Sequence, residues 1–182
     1  LLDKYAAPLQ KLATGTAFAN LPAAEQALFA EAAKIPYNLD AWDGYYAERE
    51  TVYENLASLN KKVIVLAGDT HNAWASYLYS QKGQYVGVEL ATSSVSSPGL
   101  EKYLSIPMAQ LQQFEFAFTT LIDELAYCNL NQRGYLLVTL DQAQVQSDWI
   151  FVDSIKNADA SSPVCSLTYS KASFAFLASK NL

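Results

Sequence analysis

The chain has 182 residues, 51% hydrophobic and 16% charged, with a formal net charge of −6 and a pI near 4.7. Such a composition marks a folded globular chain rather than a disordered one, long enough for one sizeable core. Its acidity and lack of any basic cluster argue against nucleic acid as a partner, and no run of about 18 apolar residues is present to cross a membrane.

The first residues are Leu1-Leu2-Asp3, and the single methionine is Met108. A processed or excised N-terminus is therefore expected, with no leader visible. Residues 1–35 read as helical. Asn20-Leu21-Pro22 is a start signal, with Asn20 as cap and Pro22 in the first turn; Ala23 to Lys34 runs through helix formers and Pro36 stops it. Residues 36–44, PYNLDAWDG, form a polar, aromatic loop ending in the turn dipeptide Asp43-Gly44. A second helix is predicted from about Tyr45 to Leu59, with Tyr45, Val52, Leu56 and Leu59 on its apolar face. Arg49 fills the gap in that stripe. A guanidinium there either snorkels at the edge or takes a carboxylate, and Asp40 and Asp43 are the nearest.

Lys61 to Ala67 is short, continuous and β-branched, which predicts a buried strand. Tyr85 to Leu90 predicts another. Trp74 to Tyr79 reads as either a short helix or an extended segment. TSSVSSPG, residues 92–99, is a polar loop, closed by Pro98-Gly99 and read as a structural turn. Leu111, Phe114, Phe118, Leu121 and Leu125 recur at helical spacing and predict a core-facing helix. Gly134 to Leu140 and Val145 to Ile155 read as two strands with Asp141-Gln142 at the hairpin turn. A last strand is expected beyond Ala158. The order is mixed α/β, residues 1–182 forming a single unit with no repeat and no dividing linker. Cys128 and Cys165 lack CxxC spacing. Either they pair, in an oxidising compartment, or they stay as two buried thiols.

The chemistry narrows by elimination. No GxxxxGK[ST], GxGxxG or GxSxG pattern occurs, and one histidine with two distant cysteines cannot build a self-contained zinc site. What remains is LAGDTH, residues 66–71, which carries the only histidine. In open α/β sheets, ligands bind beyond the carboxyl ends of strands. Asp69 and His71 fall there, on one side if the backbone stays extended, with Gly68 giving room for a sharp turn. A carboxylate with one imidazole suits harder ions such as iron, manganese, magnesium or calcium, while the spacing alone, a short and unspecific D-x-H, reads equally as a structural histidine held by hydrogen bonds.

Three stretches read together are more specific: YNLDAWDGYYAERE (37–50), VIVLAGDTHNAWASYL (63–78) and YVGVELATSSVSSPGL (85–100). In this order they resemble the C-terminal half of the alkaline phosphatase D (PhoD-like) family of metallophosphoesterases. QRGYLLVTLDQAQVQSDWIFVDSI (132–155) resembles that family's closing hairpin. The resemblance covers roughly residues 36 to 155. It implies an incomplete part of a four-layer α/β/β/α sandwich and metal-dependent hydrolysis of phosphate esters. It makes Asp69 and His71 metal ligands, implies iron and calcium as the metals, and gives His71 a catalytic role in protonating the leaving alkoxide. Asp40, Trp42, Asp43 and Asn72 match motif positions that line or brace the pocket. The family's upstream half, with its other ligands, is absent from this sequence and is implied as a partner. Periplasmic or extracellular location is also implied by the resemblance alone. Two alternatives stand beside it: a non-catalytic binding module that kept the fold, and a phospholipase-type phosphodiesterase.

Overall fold

The structure, a computed structural model, describes residues 3–32, 39–141, 144–152 and 169–177. Alanine-rich sequence forms α1 (Asp3–Ala13) and α2 (Ala23–Ala32). Asn20 does not cap α2; it ends a 3-10 turn at Phe18–Asn20, and the Pro22 carbonyl accepts the first bonds, from Glu25 and Gln26. A second 3-10 turn, Trp42–Tyr45, leads into α3 (Tyr46–Ser58). The predicted stripe of α3 frays at its ends, since Tyr45 and Leu59 are exposed. Arg49 takes a carboxylate rather than only snorkelling. Its Nη1 donates to Asp43 Oδ1 at 2.5 Å, and its guanidinium lies over the rings of Tyr46 and Tyr53.

The first sheet is built from β1 (Ile64–Ala67), β2 (Ala73–Tyr79) and β3 (Tyr85–Ala91), so the undecided segment 74–79 is a strand. A short helix, α4 (Leu100–Tyr103), and then α5 (Leu111–Leu121) follow. Leu125, expected in the α5 stripe, instead starts β4 (Leu125–Asn129), because the helix ends at Ile122 in extended backbone. The strand order is β1-β3-β2-β4, with β1 parallel to β3 and the other pairs antiparallel. A second, antiparallel sheet runs β5 (Arg133–Leu140), β6 (Gln144–Val152) and β7 (Tyr169–Leu177). The expected last strand is therefore present. Residues 153–155, Gln142 and Cys165 lie outside the described residues, and with them the end of the strand predicted from Val145 to Ile155, the hairpin turn and any Cys128–Cys165 pairing. β1 departs from the expectation of a buried strand. It pairs only with β3 among the described residues, and Leu66 is 63% exposed.

Strand alternation explains the core. In one register row Leu90, Ala75 and Tyr127 stand opposite one another, and they face the second sheet, where Trp149, Phe151, Leu136 and Val138 receive them. One residue along, Trp74 and Cys128 point the other way, onto Phe114, Phe118 and Leu111 around α5. Leu12, Leu21 and Phe29 then pack α1 and α2 against Ala117 and Leu121 of α5. The layers are helix, sheet, sheet. Burial and the nearby Glu115 push the Cys128 thiol up to about 12, so it behaves as a small apolar core residue.

Candidate functional site

The carboxyl end of β1 is tied to its neighbour, with the Thr92 N–H donating to the Ala67 carbonyl at 3.0 Å. Gly68 does not make the turn that follows. Its φ lies outside the left-handed region, and a Cβ there would meet open space. Asp69 and His71 make it, at φ 67° and 61°. The Thr70 N–H returns to the Gly68 carbonyl at 2.8 Å, closing a three-residue turn centred on Asp69. The backbone is thus not extended between the two residues, and strand alternation does not set their directions. Side chains with a Cβ hold this region at a cost of order 1–3 kcal/mol each, and such strain concentrates where ligands are held.

His71 is half-buried and its Nδ1 lies 2.8 Å from the Pro98 carbonyl oxygen. A carbonyl only accepts, so Nδ1 carries the proton and Nε2 keeps its lone pair. The Ser94 N–H donates to the His71 carbonyl at 3.3 Å. Asp69 is exposed, and its carboxylate has no partner among the described residues. An oriented imidazole beside an uncommitted carboxylate can ligate a hard or borderline cation.

Asn72 is a brace. It is 1% exposed; its Nδ2 donates to the Leu130 carbonyl at 2.5 Å and its Oδ1 accepts from the Leu100 N–H at 2.8 Å. Gly99 is pressed against it, for a Cβ at Gly99 would come within 2.4 Å of Nδ2. Asn72→Ala strands both partners in a buried place and should destabilise by roughly 2–3 kcal/mol. Urea titration of the variant checks this; an unchanged midpoint would contradict the brace.

Asp40, Trp42 and Asp43 are exposed and sit on the turn before α3. Gly44 permits that turn, because a Cβ there would strike the Leu39 carbonyl. Asp43 is engaged by Arg49. None of the hydrogen bonds of the 69–72 turn ends on Trp42 or Asp43. Asp43 acts instead on Glu89 of β3. Desolvation, and then the Asp43 charge, raise the Glu89 carboxyl above its ordinary 4.5. A raised carboxyl favours the fold while protonated and loses that advantage as pH rises through its folded pKa. Glu89→Gln should therefore be more stable than the wild type at neutral pH, and the gap should close below about pH 4.3, where unfolded Glu also binds its proton. Denaturation at both pH values measures it.

Two further features have no mark in the sequence. One is the Pro98 carbonyl on His71, a backbone group. The other is a buried ion pair, Arg133 Nη2 to Glu101 Oε1 at 2.5 Å, beside the same loop. Among the described residues no group of three or more His, Cys, Asp or Glu gathers as a metal site, and no helix is long and apolar enough to cross a membrane.

Two stacked sheets and a helical layer, with an imidazole and a carboxylate beyond a parallel strand, define a mixed α/β chain with a candidate site at its strand ends. Residues 9–149 match the PhoD-like phosphatase family. The chain belongs to that family of phosphatases. It is similar to alkaline phosphatase D of Bacillus subtilis (strain 168), 38% identical over 76 residues, which cover 39% of this chain and 13% of that protein. The solved structure of PhoD matches with a TM-score of 0.55 at 25% identity, over 78% of this chain and 25% of that one. The chain thus spans a small part of the length of both.

Proposed function

We propose that this chain supplies part of a metal-dependent phosphate-ester hydrolase, and that the Asp69 carboxylate and His71 Nε2 hold one wall of its metal centre. One observation carries this reading: Nδ1 of His71 is committed to the Pro98 carbonyl beside an unpartnered Asp69, on a strained turn at a strand end. The oxygen-plus-nitrogen donor set fits iron and calcium, and two donors are half a site. The remaining ligands come from an upstream half of the protein. Once bound, the metal would supply Lewis acidity, lowering the pKa of bound water and offsetting charge on the phosphoryl oxygens. The residues of this chain orient the ligand. Pro98 would hold the His71 proton on Nδ1 and Asn72 would fix the adjoining backbone; with Nε2 on the metal and Nδ1–H on Pro98 the imidazole has no proton to give, so His71 serves as a ligand and the leaving oxygen takes its proton from another donor.

The same upstream half would complete the C-terminal part of a four-layer sandwich. Its support is apolar surface left open on the two sheets: Leu66 on β1, and Tyr135 and Leu137 on the outward face of β5. Asp40, Trp42 and Asp43 would form the rim of the pocket. Export to the periplasm or outside the cell belongs to this proposal, since phosphate is scavenged there.

A second reading, lipid phosphodiesters as substrate, is favoured by Val95, 75% exposed on the loop bordering His71. Assays of the intact protein on a monoester, a diester and a phospholipid separate the two. Under the main reading the soluble esters are hydrolysed, a chelator abolishes turnover, and added metal restores it. Full activity in excess chelator would contradict metal dependence.

A further inference from the structure

We propose that the buried ion pair Arg133–Glu101 is a positioning device for His71, anchoring the segment that carries the Pro98 carbonyl and so keeping the imidazole proton on Nδ1. This rests on the proposed ligand role of His71 for its significance, but not for its measurement.

The geometry is a staple. Arg133 is the first residue of β5, and the loop 92–101 is gripped twice by that strand start. At one end the Gly134 N–H donates to the Ser94 carbonyl at 3.1 Å. At the other, Arg133 Nη2 donates to Glu101 Oε1 at 2.5 Å. Between these two anchors lies Pro98. The segment from Pro98 to Glu101 is then held residue by residue. His71 takes the Pro98 carbonyl, Asn72 presses on Gly99 and accepts from Leu100, and Arg133 holds Glu101. The helix α4 is also held by the packing of Leu100 and Leu104 and by the Ile106 N–H on the Glu101 carbonyl at 2.9 Å; removing the ion pair leaves it those ties alone and lets it shift about Leu100, carrying the Pro98 oxygen off Nδ1.

Burial argues the same way. The side chains of Arg133 and Glu101 are 6% and 12% exposed, yet only one oxygen and one nitrogen meet. Arg133 Nε and Glu101 Oε2 have no hydrogen-bond partner among the described residues. A buried pair so incompletely matched is a poor source of stability, because desolving two charges offsets much of their attraction. An apolar pair would serve packing as well. Direction is what the guanidinium adds.

The test uses the chain's single histidine. Labelled with 15N, His71 gives one imidazole to read, with no assignment problem. Above the ordinary imidazole pKa of about 6.5 the ring is neutral and its two nitrogens report the tautomer. The wild type should show a proton on Nδ1 and a bare Nε2. Arg133→Met with Glu101→Leu keeps the volume and removes both charges, a swap that commonly preserves folding. There the 15N separation of the two nitrogens should collapse or invert. Glu101→Gln, which keeps shape and an acceptor, should move it part of the way, and this variant decides the matter if the double variant unfolds. Arg133→Lys should recover part of the wild-type pattern. Wild-type 15N shifts in the charge-free variant, or in Glu101→Gln alone should the pair fail to fold, would overturn the proposal, as would a wild type protonated on Nε2. Phosphatase activity plays no part in the readout. A tautomer indifferent to Arg133 refutes the positioning role and leaves the proposed function standing; an inactive intact protein does the reverse.

Discussion

Replacing His71 by alanine in the intact enzyme lowers turnover by at least about a hundredfold, the scale of losing a directly acting group. The fold should survive it. His71 is only half-buried, contributes nothing to the three apolar clusters, and makes one side-chain hydrogen bond. Relief of its left-handed backbone is small, because alanine at φ 61° is strained as well. Activity and stability should therefore separate. Circular dichroism and a urea midpoint near the wild type, together with collapsed kcat, are the expected result. Near-normal kcat would remove His71 from the reaction.

The largest loss of stability is expected at Trp149. It is fully buried between the two sheets, 5.1 Å ring to ring from Tyr127, and its Nε1 donates to the Ala91 carbonyl at 2.8 Å. Trp149→Ala opens a cavity and should cost about 3–5 kcal/mol. Trp149→Phe keeps most of the ring but loses the hydrogen bond to the Ala91 carbonyl, at roughly 0.5–1.5 kcal/mol. Urea denaturation of both variants tests the ranking. Equal midpoints for the two would mean that packing contributes little at this point and the hydrogen bond nearly all. Ala91 pairs in register with Ala67, the last residue of β1 before the turn centred on Asp69, so Trp149→Ala should also loosen the site.

Much of this was legible in the sequence. The β-branched run before Gly68, the helical spacing from Leu111 and the alternation after Gly134 each gave their element. The Asp69–His71 pair stood out because it held the only imidazole at the end of a strand. What was not legible has physical reasons. Leu125 continues a helical spacing by coincidence, and only the break at Ile122 ends α5. An apolar run such as 63–67 reports that a strand's faces are to be covered, without saying by what; Leu66 stays exposed among the described residues. The left-handed turn at Asp69 and His71 places non-glycine residues where propensity would seek glycine, and the adjacent Gly68 drew the turn to itself. The Pro98 carbonyl is backbone and has no residue type to notice. Arg133 and Glu101 read as ordinary charges until the fold buries them together, 32 residues apart in the chain.

The claim on which the account depends is that Asp69 and His71 bind metal. Elemental analysis of the intact protein, beside its Asp69→Ala/His71→Ala variant and this chain alone, tests it most directly. The account predicts stoichiometric metal in the intact protein, a clear loss in the double variant and little in the isolated chain. Equal metal in the intact protein and the double variant would place the centre elsewhere and contradict it.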